Sequence, residues 1–249
     1  MRSHECASAG IVTAVAMFCA LSASAVLAHS TDVDLEMSDG VTLKATYMSP
    51  DQPGPAMLLI HQCNMDRTSW DGIAAQLVEA GVHVMTLDLR GFGDSGGEGM
   101  SAGFPDLLAK SHGDLDAAYA YLLDQEGVDG SRVAVGGASC GAMLTADLAG
   151  RQAGITSLML LSGPPSDDAI ASIAANPDLA VFGAAAVDDP VTPGVADTIQ
   201  RAVDGSENTH SMAKVYAGTE HGLPMFAKNP DLEPALVAWL KERLLATGH

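Results

Sequence analysis

The sequence predicts an α/β domain, with a mostly parallel central sheet, helices on both faces and no large cap domain. Three observations predict it. Short apolar runs alternate with longer helical stretches along most of the chain, an order that gives parallel strands joined by right-handed crossovers. The alternation opens on a hairpin, because Val33 to Met37 and Val41 to Met48 flank Asp39-Gly40, a strong tight-turn signal. Finally, about sixteen residues separate the strand ending at Ser162 from the next one, too short a connection to build a lid.

Each element follows from its local pattern. After the hairpin, the run Met57-Leu58-Leu59-Ile60 marks a strand over 56–60, apolar on successive residues as a strand buried on both faces must be. A helix from about 69 to 80 leads to a strand over 82–88, and a helix from about 107 to 125 leads to a strand over 132–136, read from Val133-Ala134-Val135. A helix over 140–151 follows. Strands over 156–162, 179–185 and 212–217 complete the sheet, with helices near 193–204 and 232–246.

The first 28 residues read as a secretory signal peptide: Arg2 near the start, an apolar stretch from about Ala9 to Leu21, and a small-residue end at Val26-Leu27-Ala28. The competing reading is an uncleaved membrane anchor, and the Ala and Ser content favours cleavage before His29. Cys19 follows Met17-Phe18 and lacks the small residue that a lipoprotein anchor has before it. The mature chain, 29–249, is then one domain large enough for a well-buried core, secreted or periplasmic, with no membrane contact after cleavage.

The formal charge is −19, and it survives cleavage because Arg2 and Glu5 leave together. With 12 Lys and Arg against 31 Asp and Glu, no basic stripe for phosphates can form, so nucleic acid is excluded as a partner. An acidic surface also disfavours strongly anionic substrates and anionic membranes.

The chemistry sits in three places. Gly137-Ala138-Ser139-Cys140-Gly141 follows a strand and opens a helix, the context in which G-x-S-x-G makes a nucleophile elbow. A serine needs a base within hydrogen-bond reach and an acid to orient that base. Asp188 and Asp189 lie just past the strand at Ala180–Ala184, and His221 lies in a loop between the last strand and the last helix. Ser139, Asp189 and His221 thus run in the order Ser, Asp, His, each at the C-terminal end of a strand.

On these residues the chain resembles the α/β-hydrolase superfamily, and within it the minimal dienelactone-hydrolase-like enzymes, from about Thr31 to Leu245. Met57 to Asn64 resembles the third strand and oxyanion loop, and Leu87 to Ser95 the turn after the fourth. The resemblance implies a serine hydrolase acting on a small-molecule acyl ester, with no cofactor or metal. His221 would take the Ser139 proton, Asp189 would orient the imidazole, and the backbone N–H groups of Cys63 and Cys140 would form the oxyanion hole. Asp188 is the rival acid; Asp189 is preferred because Asp-Pro-x-x-Pro resembles the turn in relatives. Two departures stand out: dienelactone hydrolases carry cysteine at the nucleophile position, where this chain has Ser139, and many relatives have glycine where this chain has Gln62. Alternatives are a dienelactone-type enzyme using Cys140 and a noncatalytic binding module on the same fold.

Other residues take structural readings. His61 packs beneath the oxyanion loop in the family pattern; Asp88 and Arg90 stabilise a turn; Trp70, Met57, Met85, Met143 and Met159 fill the core or a wall. Met100, Phe104 and Met225 are placed in loops near an acyl pocket. Gly91 to Gly96 matches the dinucleotide fingerprint, but Gly97-Glu98-Gly99-Met100 does not open a helix, so no dipole holds a pyrophosphate. No zinc or phosphate-loop motif is present. Cys63 and Cys140 fall beyond neighbouring strand ends, where either a disulfide or two partly buried thiols fits.

Overall fold

The computed structural model describes residues 29–246; the signal-peptide reading lies outside them. The strands are β1 (His29–Glu36), β2 (Thr42–Ser49), β3 (Gly54–Ile60), β4 (His83–Leu87), β5 (Val128–Ala138), β6 (Ile155–Leu161), β7 (Ala180–Ala186) and β8 (Met212–Tyr216). The helices are α1 (Asp71–Glu79), α2 (Phe104–Leu123), α3 (Cys140–Arg151), α4 (Asp167–Ala175), α5 (Val195–Gly205), α6 (Pro224–Lys228) and α7 (Leu232–Leu245). Short 3-10 turns cover Arg67–Trp70 and Gly99–Ala102.

All eight strands form one sheet in the order β1-β2-β4-β3-β5-β6-β7-β8. The hairpin predicted about Asp39-Gly40 is present, and β2 pairs antiparallel with both β1 and β4. Every other pairing is parallel. Strands β3 and β7 are buried at every position, which is why their sequences are unbroken apolar runs. The sheet separates two cores. Leu115 and Leu122 of α2, Leu144 and Leu148 of α3, Ile173 of α4 and Ile199 of α5 pack on one face. Ile73 and Leu77 of α1, Met225 of α6 and Leu236 and Leu240 of α7 pack on the other.

Two helices were not legible as such. Helix α4 lies in the connection read as short; Ser166 caps it by accepting from the Ala169 N–H at 3.1 Å, and Asp167 and Asp168 favour its first turn electrostatically. Helix α6 is a single short turn opened by Pro224, so its Met225 is helical and fully buried instead of lying in a pocket loop. Strand β5 starts four residues earlier than the strand predicted over 132–136, because Val128 pairs with Gly54 across an irregularity in the ladder.

The chain runs from β3 to β4 on one side and returns to β5 on the other. This reversal places a topological switch point between β3 and β5, where loops leave their C-terminal ends in opposite directions and open a crevice.

The glycine-rich segment after β4 is a turn built on Asp88. That buried carboxylate accepts from the Asp94 N–H (2.9 Å), the Arg67 N–H (2.6 Å) and the Arg67 guanidinium. No α-helix opens until Phe104, as the reading of the false fingerprint required. Arg90 makes two bonds to the fully buried Asp114, at 2.6 and 2.5 Å, and one to Asp39 at 2.8 Å, which hold its guanidinium firmly protonated. Trp70, Met57, Met85 and Met159 are core residues, and Met143 is partly buried.

Candidate active site

Strand β5 delivers Ser139 to the head of α3. Its backbone is forced to φ 52°, ψ −120°, a region that non-glycine residues rarely occupy and that marks a strained turn. The turn is tight because its flanks are glycines: a Cβ at Gly137 would overlap the Gly141 backbone, and one at Gly141 would overlap the carbonyls of Ile60 and His61. The Ser139 N–H donates to Leu161 O at 2.8 Å, anchoring the elbow to β6.

The candidate acid and base meet. After β7, Asp189 is 3% exposed, and its Oδ2 lies 2.6 Å from His221 Nδ1 in the loop after β8. Asp188 is exposed and instead ties the two loops through its backbone, donating to Gly218 O at 3.0 Å. Asp189 Oδ1 accepts from the N–H groups of Val191 (2.8 Å) and Thr192 (3.2 Å), and Oδ2 accepts from the Thr192 hydroxyl (3.2 Å). An ionised carboxylate is the natural recipient of so many donors. With Nδ1–H committed to Asp189, the lone pair of the neutral imidazole is on Nε2. Among the described residues neither His221 Nε2 nor the Ser139 hydroxyl has a hydrogen-bond partner.

The candidate donors for an oxyanion are free. The N–H groups of Cys63 and Cys140 have no acceptor among the described residues, and that of Cys140 also starts α3, where the helix dipole favours negative charge. The two cysteines are joined by a disulfide with a Cα–Cα separation of 5.9 Å. This resolves the choice between a disulfide and two thiols. It also removes Cys140 as a nucleophile, since its sulfur is bonded and nearly fully buried.

Beneath the loop, His61 is fully buried; Nε2 accepts from the Leu89 N–H at 3.0 Å, which leaves Nδ1–H to donate to Gln62 O at 2.8 Å. Burial lowers its pKa and keeps it neutral, so it is a strut and not a base. Gln62, where relatives have glycine, is buried as well: Oε1 accepts from the Leu223 N–H (2.9 Å) and Nε2 donates to Asn64 Oδ1 (2.7 Å). Thr192 and Gln62 are the site residues that sequence reasoning did not assign. The signal for Thr192 was its position three residues after the acid, where a hydroxyl can close a turn.

Met100 and Phe104, placed in loops by the sequence reading, are exposed but helical: Met100 lies in the 3-10 turn Gly99–Ala102 and Phe104 opens α2. Among the described residues no group of three His, Cys, Asp or Glu converges as a metal site, and no helix is long and apolar enough to cross a membrane.

Comparison with known proteins bears on the fold and the family. The esterase Pf2001 of Pyrococcus furiosus superposes with a TM-score of 0.69 at 16% identity, covering 88% of this chain and 94% of that one. A putative dienelactone hydrolase from Klebsiella pneumoniae gives 0.62 at 16% identity, covering 86% and 98%. At this identity the likeness establishes the fold, that of the α/β hydrolases. An uncharacterized protein of Mycobacterium tuberculosis strain H37Rv, Rv2307c, is 35% identical over 130 residues, 51% of this chain, and the chain spans 44% of that relative's length. The model of the serine aminopeptidase S33 hydrolases matches residues 51–214, which include Ser139 and Asp189 and stop short of His221. An α/β-hydrolase fold with this match over most of its length is a member of that family: the chain belongs to the serine aminopeptidase S33 hydrolases.

Proposed function

We propose that this hydrolase cleaves carboxylic esters, or related acyl bonds, through an acyl-enzyme on Ser139. The observation that carries the reading is the 2.6 Å bond between Asp189 and His221, with Nε2 unspent, in a cluster of loops that also holds a strained serine and two free N–H groups.

His221 Nε2 takes the Ser139 proton as Oγ attacks the acyl carbonyl. The carbonyl electrons move to oxygen, and the Cys63 and Cys140 N–H groups stabilise that charge, each for about 3 kcal/mol. The imidazolium then gives its proton to the leaving oxygen, and Asp189 stabilises the charged ring throughout. Water, deprotonated by the same His221, attacks the acyl-enzyme and releases the acid.

The fold of Pf2001 and the dienelactone-hydrolase likeness support ester chemistry. The family's aminopeptidase name favours a second reading, an amide, which requires His221 to protonate an amine instead of an alcohol. A charge of −19 favours neutral or cationic substrates over anionic ones. The disulfide supports export to an oxidising compartment, secreted or periplasmic.

The test is fluorophosphonate labelling of the purified protein with mass mapping of the tag, alongside turnover of p-nitrophenyl esters and of aminoacyl anilides. A tag on Ser139, lost in His221→Ala, with ester turnover, supports the proposal. Anilide turnover alone selects the amide reading. A folded protein that takes no tag and turns over neither substrate overturns the proposal and moves the binding-module reading to the front.

A further inference from the structure

Gln62 is the most heavily engaged residue of the loop after β3. Its backbone oxygen accepts from His61 Nδ1–H and from the N–H groups of Asn64 (2.8 Å) and Met65 (3.0 Å). Its carboxamide spans from Asn64 on its own loop to the Leu223 N–H on the loop that carries His221. The receiving loop is shaped for it. Gly222 sits at φ +67°, and a Cβ there would overlap the Gln62 carboxamide oxygen.

The next residue, Cys63, is covalently joined to Cys140 beside the serine. Two consecutive residues therefore tie three things together: the donor loop, the nucleophile helix and the base loop. A surface loop rarely has a buried carboxamide at one residue and a disulfide at the next. Packing alone needs neither, since an apolar side chain of the same volume would fill the space without polar groups to satisfy.

We infer that Gln62 is a positioning residue: its carboxamide holds the Cys63 N–H at a fixed distance from the His221 imidazole, while the disulfide holds the two oxyanion donors in register. This rests on the serine-hydrolase reading of Ser139, Asp189 and His221. A misplaced donor weakens a bond that is strong only in the transition state, so the loss belongs in kcat and not in KM.

The experiment measures kcat, KM and the urea unfolding midpoint on an ester substrate, for the wild type first. An inactive, unlabelled wild type overturns both this inference and the hydrolase reading. With an active wild type, a folded Gln62→Met is expected to lose roughly ten- to hundredfold in kcat, with KM within about threefold. Asn64→Ala changes an exposed side chain that folding does not need, and it should lose about threefold in kcat by freeing the carboxamide. In a Cys63→Ala/Cys140→Ala background the Gln62→Met loss should exceed its loss in the oxidised enzyme, because the donor then has neither tie. Wild-type kcat in a folded Gln62→Met overturns the inference and leaves the hydrolase reading intact. So does a change confined to KM. If Gln62→Met does not fold, wild-type kcat in Asn64→Ala has the same force.

Discussion

Thr192 grips Asp189 from both sides: its N–H reaches Oδ1 and its hydroxyl reaches Oδ2, each at 3.2 Å. The same hydroxyl lies 3.3 Å from Ser162 O at the end of β6, so the acid is braced against the sheet as well as against its own turn. Thr192→Val keeps the shape and one of the two bonds. One hydrogen bond to a charged group is worth about 1.5 kcal/mol, so kcat should fall roughly tenfold with KM unchanged. Asp189→Asn, which presents the wrong partner to His221 Nδ1–H, should cost about 10⁴ in kcat. Steady-state kinetics on the two variants checks both, and a Thr192→Val enzyme with wild-type kcat would show that the brace is not needed.

The disulfide should stabilise the fold chiefly by restricting the unfolded chain. For a sequence separation of 77 residues, the loss of loop-closure entropy amounts to about 4 kcal/mol. Urea unfolding of Cys63→Ala/Cys140→Ala should show a drop of that order, and thiol alkylation of the native oxidised protein should leave both positions unmodified. A midpoint equal to that of the wild type would mean that the unfolded state is already compact across this span.

His61 and His83 should make the protein acid-sensitive. Burial lowers the pKa of each below the ordinary 6.5, so below that pH the unfolded chain takes up protons that the native state refuses. Stability is fully present above about 6.5 and is lost as pH falls from there toward the folded values, by at most about 1.4 kcal/mol per pH unit for each histidine. Unfolding midpoints measured between pH 7.5 and 5 should fall, and His61→Gln should flatten the slope. Midpoints that stay level across this interval contradict the argument.

Asp114 should be among the least replaceable carboxylates. It is fully buried against Arg90, so Asp114→Ala leaves a guanidinium whose side chain is only 7% exposed with the half-exposed Asp39 as its one carboxylate partner, at a cost of about 3 kcal/mol. Replacing both partners, as Arg90→Met with Asp114→Leu, should recover most of that. Equal losses in the single and double variants would place the cost in packing instead of charge.

The frame of the molecule was readable because its strands announce themselves. Runs such as Met57 to Ile60 and Ala180 to Ala184 must be apolar on both sides, and each sequence run became a strand of the sheet. Ser139, Asp189 and His221 could be placed at strand ends because each has a local marker: an elbow, a prolyl turn and a final loop. What could not be read depends on where loops from separate strands converge. Nothing near Gln62 in the sequence points to Leu223, 161 residues away, and the pairing of Cys63 with Cys140 was left open between a disulfide and two thiols. Asp189 prevailed over Asp188 by burial, a property of the folded loop. Helix α4 was missed because its nine residues fit inside a connection of about sixteen that was read only as too short for a lid.

The bond between Cys63 and Cys140 also closes a covalent ring that contains α1, β4, α2 and all of β5. The glycine-rich segment from Gly91 to Gly103, largely exposed and therefore open to proteases, lies inside that ring. A protease that cuts there produces two fragments still fastened to each other beside the serine, with Cys63 and Cys140 both retained. In an extracellular setting the enzyme would outlive its first cleavage, migrating as one species until a reductant is added and as two afterwards.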